Sequence, residues 1–342
     1  MAVFGLALKS LLNRRVTVGL TVFAIGVSVM LVLGVERLRH DAKASFANTI
    51  SGTDLIVGAR SGSIQLLLYS VFRIGNATNN ISWRSYRDIA GRKEVAWTIP
   101  LSLGDSHRGY RVMGTTADYF KHYRYGNGTS LTFAEGKPFA EVFDAVLGAD
   151  VAKALGYERG DPIVVAHGLG AEGFSKHDDK PFTVTGILER TGTPVDRTVH
   201  ISLGGIEAIH IDWKGGARVP GMNVGADAVR EINLQPKTIT AFFVGLKSRL
   251  AAFRLQRAIN EYRREPLLAA LPGVALQELW DLMGTAEAAL GVISLFVVAA
   301  GLLGMLTMLL SGLNERRREI AILRTVGARP DKFSPCWHLR RG

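Results

Sequence analysis

Two long stretches of this chain carry no charged residue. Residues 17–35 and 288–310 contain 19 and 23 uncharged, mostly apolar residues. As helices rising ~1.5 Å per residue they would measure about 28 and 34 Å, close to the ~30 Å hydrocarbon core of a bilayer. Neither run has the polar stripe that a helix at the surface of a soluble core keeps. The sequence therefore predicts two transmembrane helices, at 17–35 and 288–311.

Basic residues are concentrated beside these two runs. Residues 1–16 contain three basic and no acidic side chains, and residues 312–342 contain eight basic and three acidic ones. This placement favours membrane topology over a nucleic-acid-binding face, although the net charge is +11. Arg316–Arg318 follow the second run, whereas acidic residues precede it, so the positive-inside rule predicts a cytoplasmic location for that end. We expect both termini in the cytoplasm and the roughly 250 residues between the spans outside it.

The apolar pattern continues past each predicted span. One stripe repeats every four residues after the first span, and another occurs at helical spacing before the second. The first contains Leu38, Ala42, Phe46 and Ile50, and the second contains Leu276, Leu279, Trp280, Met283 and Leu290. These stripes predict two stalk helices that join the central domain stiffly to the membrane. A cleaved signal peptide fits the first run less well, because the run is long and charged residues intervene before any cleavage site.

Five segments follow from these patterns. They are a basic amphipathic cytoplasmic segment at 1–16, a span at 17–35, a central domain with stalks at 36–287, a span at 288–311, and a cytoplasmic tail at 312–342. The central domain shows alternating helix and strand signals, which predict a mixed α/β fold of one or two lobes. Helices are predicted at 83–90, 149–155 and 248–264, and strands at 144–147, 162–166, 182–188 and 239–246. In the last helix we expect Leu250, Phe253 and Ile259 to face inward.

No strong catalytic or cofactor motif is present in the sequence. Residues 168–173 match G-x-G-x-x-G, but a loop-like segment follows where a dinucleotide site needs a helix, and no phosphate-binding G-x-x-x-x-G-K-[ST] occurs. Weak metal-ligand candidates are His167, His177, Asp178 and Asp179, with His200 and His210 further along. Because they lack a tight H-x-x-x-H spacing, hydrogen-bonded histidines in a polar hairpin are the simpler interpretation. We therefore predict no catalytic residue, no metal and no cofactor on this chain.

The segment after the second span carries the most specific motif. Residues 314–330 read NERRREIAILRTVGARP, and we expect a short helix over 315–326 that follows a break at Gly312 and ends at Gly327. This string resembles the cytoplasmic coupling helix of MacB/FtsX-type ABC-transporter permeases. The matching residues are Glu315, Arg316, Arg317, Glu319, Ile320, Leu323, Arg324, Gly327 and Ala328.

The resemblance extends over most of the chain. Residues 145–156, 160–161 and 182–188 are similar to the MacB-like periplasmic core domain, and residues 4–15 resemble the family's amphipathic helix before the membrane. The resemblance implies an α+β membrane protein with a mixed α/β periplasmic domain between two transmembrane helices and a cytoplasmic coupling helix. It also implies location in the bacterial inner membrane.

The function implied by the resemblance is that of an ABC-transporter permease subunit, not an enzyme. ATP and Mg²⁺ would bind a separate ATP-binding subunit, which the nine motif residues would contact, and a second permease copy or homologue would complete the assembly. Hydrolysis would move the periplasmic domain through the stalk, a mechanism called mechanotransmission, for export or for lipoprotein or peptide handling.

The family pattern has two further spans after the coupling helix. The chain ends 14 residues past Ala328 without another apolar run, so we expect a shortened family member. Two other functions stay open. One is a bitopic receptor, which would need a larger cytoplasmic output domain than the residues after the second span provide. The other is a membrane-anchored metal-binding protein that uses the His/Asp cluster.

Overall fold

The computed structural model describes residues 15–167, 178–214, 217–218 and 224–325. The chain forms two compact units, one of residues 42–281 and one of the segments before and after it. The described helices are α1 (Arg15–Ala47), α2 (Ser63–Ser70), α3 (Trp83–Ala90), α4 (Asp118–His122), α5 (Ala149–Leu155), α6 (Leu203–His210), α7 (Ala226–Arg230), α8 (Ala252–Asn260) and α9 (Pro272–Thr325). Short 3₁₀ helices occur at Pro194–Arg197 and Arg249–Ala251.

Seventeen strands are described, all within the 42–281 unit. They are β1 (Leu55–Ala59), β2 (Ile81–Ser82), β3 (Val95–His107), β4 (Tyr110–Thr115), β5 (Arg124–Tyr125), β6 (Thr129–Ser130), β7 (Phe133–Gly136), β8 (Asp144–Leu147), β9 (Pro162–Ile163), β10 (Ala166–His167), β11 (Phe182–Leu188), β12 (Thr198–Ser202), β13 (Trp213–Lys214), β14 (Ala217–Arg218), β15 (Thr238–Ile239), β16 (Ala241–Leu246) and β17 (Leu267–Ala270).

One large mixed sheet organises this unit, in the order β17-β1-β16-β3-β4-β12-β8-β11-β7. The 13-residue strand β3 joins its two halves, because residues 95–101 pair with β16 and residues 102–107 pair with β4. Pairs are antiparallel except β4 with β12 and β8 with β11. The long strand therefore makes the two halves one continuous sheet.

The strand β1 shows how the sequence specifies the core. It reads Leu-Ile-Val-Gly-Ala, every residue is buried, and it lies between β16 and β17. A strand covered on both faces is expected to be a continuous apolar run rather than an alternating one. Gly58 is required by close packing, because a Cβ there would lie 2.5 Å from the Tyr69 hydroxyl and 2.7 Å from Leu66 of α2.

The predicted spans lie in two helices that extend beyond this unit: 17–35 lies in α1 and 288–311 lies in α9. Within the part of the chain that the structure describes, one helical stretch, Pro272–Gly304, is long and apolar enough to cross a membrane, and its apolar window has no buried residue. The helix does not break at Gly312 as expected, since α9 is continuous from Pro272 to Thr325. A glycine weakens a helix by only about 1 kcal/mol and, unlike proline, retains its N–H donor.

Four predicted elements of the central domain are confirmed with the same bounds: α3, α5, β8 and β11. The predicted strands at 162–166 and 239–246 are each split in two. Both splits occur where the chain changes its pairing partner, from β11 to β3 in the first case and from β2 to β1 and β3 in the second.

The helix predicted at 248–264 is shorter and turned to a different face. Its regular part is α8, which packs on β17. Ile259 is buried as expected, but Leu250 and Phe253 are 94% and 70% exposed, and Leu255 is buried instead. Residues four positions apart share a helix face, so Leu255 is buried together with Ile259, and Phe253 lies on the exposed face.

Candidate functional site

The predicted coupling segment lies at the described end of α9. Residues 315–325 are helical, whereas Gly327 and Ala328 lie outside the described residues. Arg317 and Arg318 are exposed. The segment is therefore the last three turns of a 54-residue helix rather than a separate short helix.

Helical geometry determines which residues of the motif lie on the same side of α9. At 3.6 residues per turn, each position advances about 100° around the axis. Positions 316, 320, 323 and 324 therefore fall within an arc of about 100°, which groups two arginines with two aliphatic residues of the motif. Position 317 borders this arc, and position 318 lies on the far side of the helix.

The other end of α9 is built into the core of the 42–281 unit. Ala275 is buried, and Leu276 packs against the main hydrophobic cluster. The Ser63 hydroxyl, at the start of α2, donates a hydrogen bond to the Glu278 carboxylate. The first turns of α9 are therefore fixed to the sheet by apolar packing and by one side-chain hydrogen bond.

Phe46 joins the end of α1 to the start of α9. Its ring lies 4.3 Å from the ring of Phe72, which is buried in the core, and 5.6 Å from the ring of Trp280, which it meets edge to face. Aromatic pairs at these separations each contribute about 0.5–1.5 kcal/mol beyond the area they bury. Both predicted stalk stripes thus reach the core, through Phe46 and Ile50 on one side and Leu276 on the other.

The weak metal-ligand candidates occupy other roles where the structure describes them. His177 lies outside the described residues, and Asp178 is exposed. One carboxylate oxygen of Asp179 lies 3.8 Å from Nζ of Lys180. Lys180 in turn forms a 2.7 Å ion pair with Asp212, and both of these side chains are fully buried. In the described ranges no group of three His, Cys, Asp or Glu residues is arranged to hold a metal ion.

The histidines further along are also held by local partners. His200 is fully buried and its Nδ1–H donates to the Val146 carbonyl oxygen at 3.2 Å. Burial, together with the positive charge of Arg73, lowers the pKa of His200 to about 3. The His210 Nε2 lies 3.5 Å from a carboxylate oxygen of Asp105, and His167 is in β10, paired with β3. His200 and His167 therefore lie in strands of the sheet, and His210 lies at the end of α6.

Comparison with known proteins decides the family. Residues 18–260 match the family described as MacB-like periplasmic core domain, and residues 291–334 match the one described as FtsX-like permease C-terminal. The first match alone spans well over half of the chain. The chain belongs to the MacB/FtsX-type permease family. The FtsX-like match includes all nine positions of the predicted coupling motif. A MacB/FtsX-type permease is a component of an ABC transporter and is not itself an enzyme.

Two solved structures are similar to this chain. The periplasmic region of MacB from Actinobacillus actinomycetemcomitans is 12% identical with a TM-score of 0.39, over 68% of this chain and 94% of that chain. The extracellular domain of the noncanonic ABC-type transporter YknZ from Gram-positive bacteria is 10% identical with a TM-score of 0.36, over 64% of this chain and 98% of that one. No curated protein matches the chain. The family assignment rests on the two sequence matches.

Sequence reasoning did not find two features of this permease. The first is the buried Lys180–Asp212 pair, which joins residues 32 positions apart. The second is the contact of Phe72 with Phe46, because Phe72 lies in an apolar run without a regular helical period. The one sequence signal for the pair is that Lys180 directly follows two aspartates. This signal does not predict burial, because lysine side chains are seldom buried.

Proposed function

We propose that this chain is the permease subunit of a MacB/FtsX-type ABC transporter in a bacterial inner membrane. The 42–281 unit is the periplasmic domain, α1 and α9 cross the bilayer, and both termini are cytoplasmic. A partner subunit that hydrolyses ATP with Mg²⁺ contacts the end of α9. Its movement is transmitted through the helices to the periplasmic domain, for export or for handling of a lipoprotein or peptide.

The observation that carries this proposal is the continuity of α9. One helix contains Ala275 and Leu276, which pack into the domain core, and also the arginine-rich motif at 315–325. At ~1.5 Å per residue its 54 residues measure about 80 Å, and a helical connector is far stiffer than a Gly/Ser-rich coil. A displacement applied at one end of such a helix can reach the other end without being absorbed by a flexible linker.

The surface of the middle of α9 supports a location in the membrane. Leu295, Phe296 and Leu303 are each at least 64% exposed. In water, an apolar surface of this extent would form a patch larger than soluble monomers usually tolerate. In a bilayer the same side chains contact lipid, while the helix satisfies its own backbone hydrogen bonds.

The motif at the end of α9 supports a protein partner on the cytoplasmic side. On one arc of the helix, Arg316 and Arg324 are grouped with Ile320 and Leu323. This combination of guanidinium groups and aliphatic side chains suits an acidic groove with an apolar floor. A second copy of this chain, or a homologue, and two ATP-binding subunits would complete the assembly.

Charge reversal on the motif face tests the contact with the ATPase. In a chain carrying Arg316→Glu, Arg317→Glu and Arg324→Glu, we expect loss of at least nine-tenths of the ATP-binding subunit that copurifies with the wild-type chain. The cause is that attraction to an acidic groove becomes repulsion. The measurement is quantitative affinity purification from membranes, with the permease amounts matched.

The matched control is Arg318→Glu, which changes an exposed arginine on the far side of the same helix. We expect this variant to retain most of the ATP-binding subunit. Equal recovery of the ATPase with the triple variant and with the wild-type chain would contradict the proposed contact.

A further inference from the structure

A cleft in the 42–281 unit is large enough to hold a small molecule, and the proposed transport function does not use it. It encloses about 480 Å³ between the loop after α2 and the β3–β4 pair, within the ~300–1,000 Å³ usual for ligand sites. Its lining residues are Tyr69, Gly75, Asn76, Ala77, Asn80, Leu103, Gly104 and Arg111. The cleft thus combines apolar walls with two amides and one guanidinium group.

Arg111 is held in a fixed position at this cleft. Its Nη1 donates to the Asn76 side-chain oxygen at 2.9 Å, and its Nη2 donates to the Gly75 carbonyl oxygen at 2.5 Å. Both acceptors lie on the loop, so the guanidinium plane is oriented before any ligand arrives. Because a guanidinium has five N–H donors, these two bonds leave further donors for a ligand.

Arg111 has no paired carboxylate among the residues that the structure describes. Within the described ranges, neither Arg111 nor the neighbouring Arg73 forms an ion pair with a carboxylate, and the guanidinium of Arg73 donates to the Ser70 carbonyl oxygen and to the Met113 sulfur instead. Burial and the charge of Arg73 lower the pKa of Arg111. A partly buried guanidinium group without a paired carboxylate creates a positive potential that attracts an anion.

The other walls favour an anion that carries an apolar part. Asn76 accepts from Arg111 through its oxygen, which leaves its amide N–H₂ free to donate. Tyr69 also lines the cleft, although its hydroxyl packs against Gly58 of β1. Leu103 and Ala77 supply aliphatic surface beside these polar groups.

We propose that this cleft binds the carboxylate or phosphate group of a small ligand, with Arg111 as the principal contact. Arginine is suited to this role because its planar fork matches both oxyanions through paired hydrogen bonds. The site lies wholly within the 42–281 unit, so it does not depend on the proposed contact with an ATPase.

Calorimetric titration of the purified full-length chain in detergent tests this proposal. The carboxylate probe is N-acetyl-L-leucine, the phosphate probe is inorganic phosphate, and the neutral analogue N-acetyl-L-leucinamide controls for apolar binding. We expect saturable binding of at least one anion and at least tenfold weaker binding of the neutral amide. Which anion binds more tightly distinguishes a carboxylate ligand from a phosphate ligand.

Two variants locate the binding in the cleft. Arg111→Gln removes the charge, and Gly104→Leu fills the space, since a Cβ at Gly104 meets no atom within 4 Å. Each is expected to raise Kd at least tenfold. Arg257→Gln, at an exposed arginine outside the cleft, should leave Kd unchanged.

If Arg111→Gln fails to fold, Gly104→Leu decides the question alone. Absence of saturable binding of either anion to the wild-type chain would overturn the proposal. Unchanged binding in a folded Arg111→Gln or Gly104→Leu variant would overturn it equally.

Discussion

Replacing Lys180 by methionine is expected to lower the free energy of unfolding of the 42–281 unit by about 3–5 kcal/mol. The ammonium group of Lys180 lies 2.7 Å from a carboxylate oxygen of Asp212, and neither side chain is exposed. Methionine fills a similar volume but removes the ammonium group that pairs with the buried Asp212 carboxylate. Guanidinium unfolding of the purified chain, followed by tryptophan fluorescence, measures the change, and Trp213 is adjacent in sequence to Asp212.

The double variant Lys180→Met with Asp212→Leu separates charge from packing. Replacing both members of a buried pair by apolar residues is often neutral or stabilising, so we expect the double variant to recover more than half of the lost stability. Lys153→Met, at an exposed lysine in α5, is the matched control and should change stability by less than ~0.5 kcal/mol. A loss in Lys180→Met no larger than in this control would show that the pair has no structural role.

Acidification from pH 7 to pH 4 is expected to remove about 3 kcal/mol of stability through His200 alone. The folded protein keeps this histidine neutral because its pKa is lowered to about 3 by burial and by Arg73. In the unfolded chain the same side chain takes up a proton near pH 6.5. Between these values the unfolded state binds more protons, so stability falls as the pH falls and is fully present above about pH 6.5.

The variant His200→Phe isolates this contribution. Phenylalanine retains an aromatic ring beside Tyr119 and Phe120, whose rings lie 5.2 and 5.9 Å from the imidazole. The difference between variant and wild type in the pH dependence of unfolding cancels the other titrating groups. We expect the variant to lose about 3 kcal/mol less than the wild type over this pH range, and parallel curves would show that His200 is not kept neutral by the fold.

Sequence patterns predicted the elements whose signals are local. The helix Trp83–Ala90 has Ser82 as its N-cap, and the helix Ala149–Leu155 ends at Gly156 in the left-handed conformation. Both helices have the predicted bounds, because capping and glycine signals act within one turn. The family resemblance was recognisable for a similar reason: the nine matching positions fall within 14 consecutive residues.

Features that depend on distant partners were not predictable from the sequence. The inward face of the helix predicted at 248–264 was assigned wrongly, because Leu250 and Phe253 are as apolar as the buried Leu255. Contact with β17 determines which of these side chains is buried. Likewise, the split of the predicted strand at 239–246 reflects a change of pairing partner. The cleft around Arg111 arises because a loop 36 residues away in sequence folds over β4.

The anchoring of the helices in the domain core gives the proposed mechanism its physical basis. Phe46 contacts both Phe72 in the core and Trp280 in α9, so the two helix ends and the sheet pack as one body within the 42–281 unit. A movement of either helix along its axis is then resisted by core packing, which is dense and not readily compressed. Under the proposed mechanism, force on the predicted coupling segment would act on the domain core through this packing.

Site-specific cysteine labelling tests the central claim, that α9 crosses the bilayer with the domain and the motif on opposite sides. In a background with Cys336→Ser, which removes the chain's one cysteine, Leu250→Cys and Arg318→Cys place single thiols at exposed positions of the domain and of α9. A membrane-impermeant maleimide applied to intact spheroplasts should label Leu250→Cys at once and Arg318→Cys only after permeabilisation. Labelling of both positions from the same side would contradict the account.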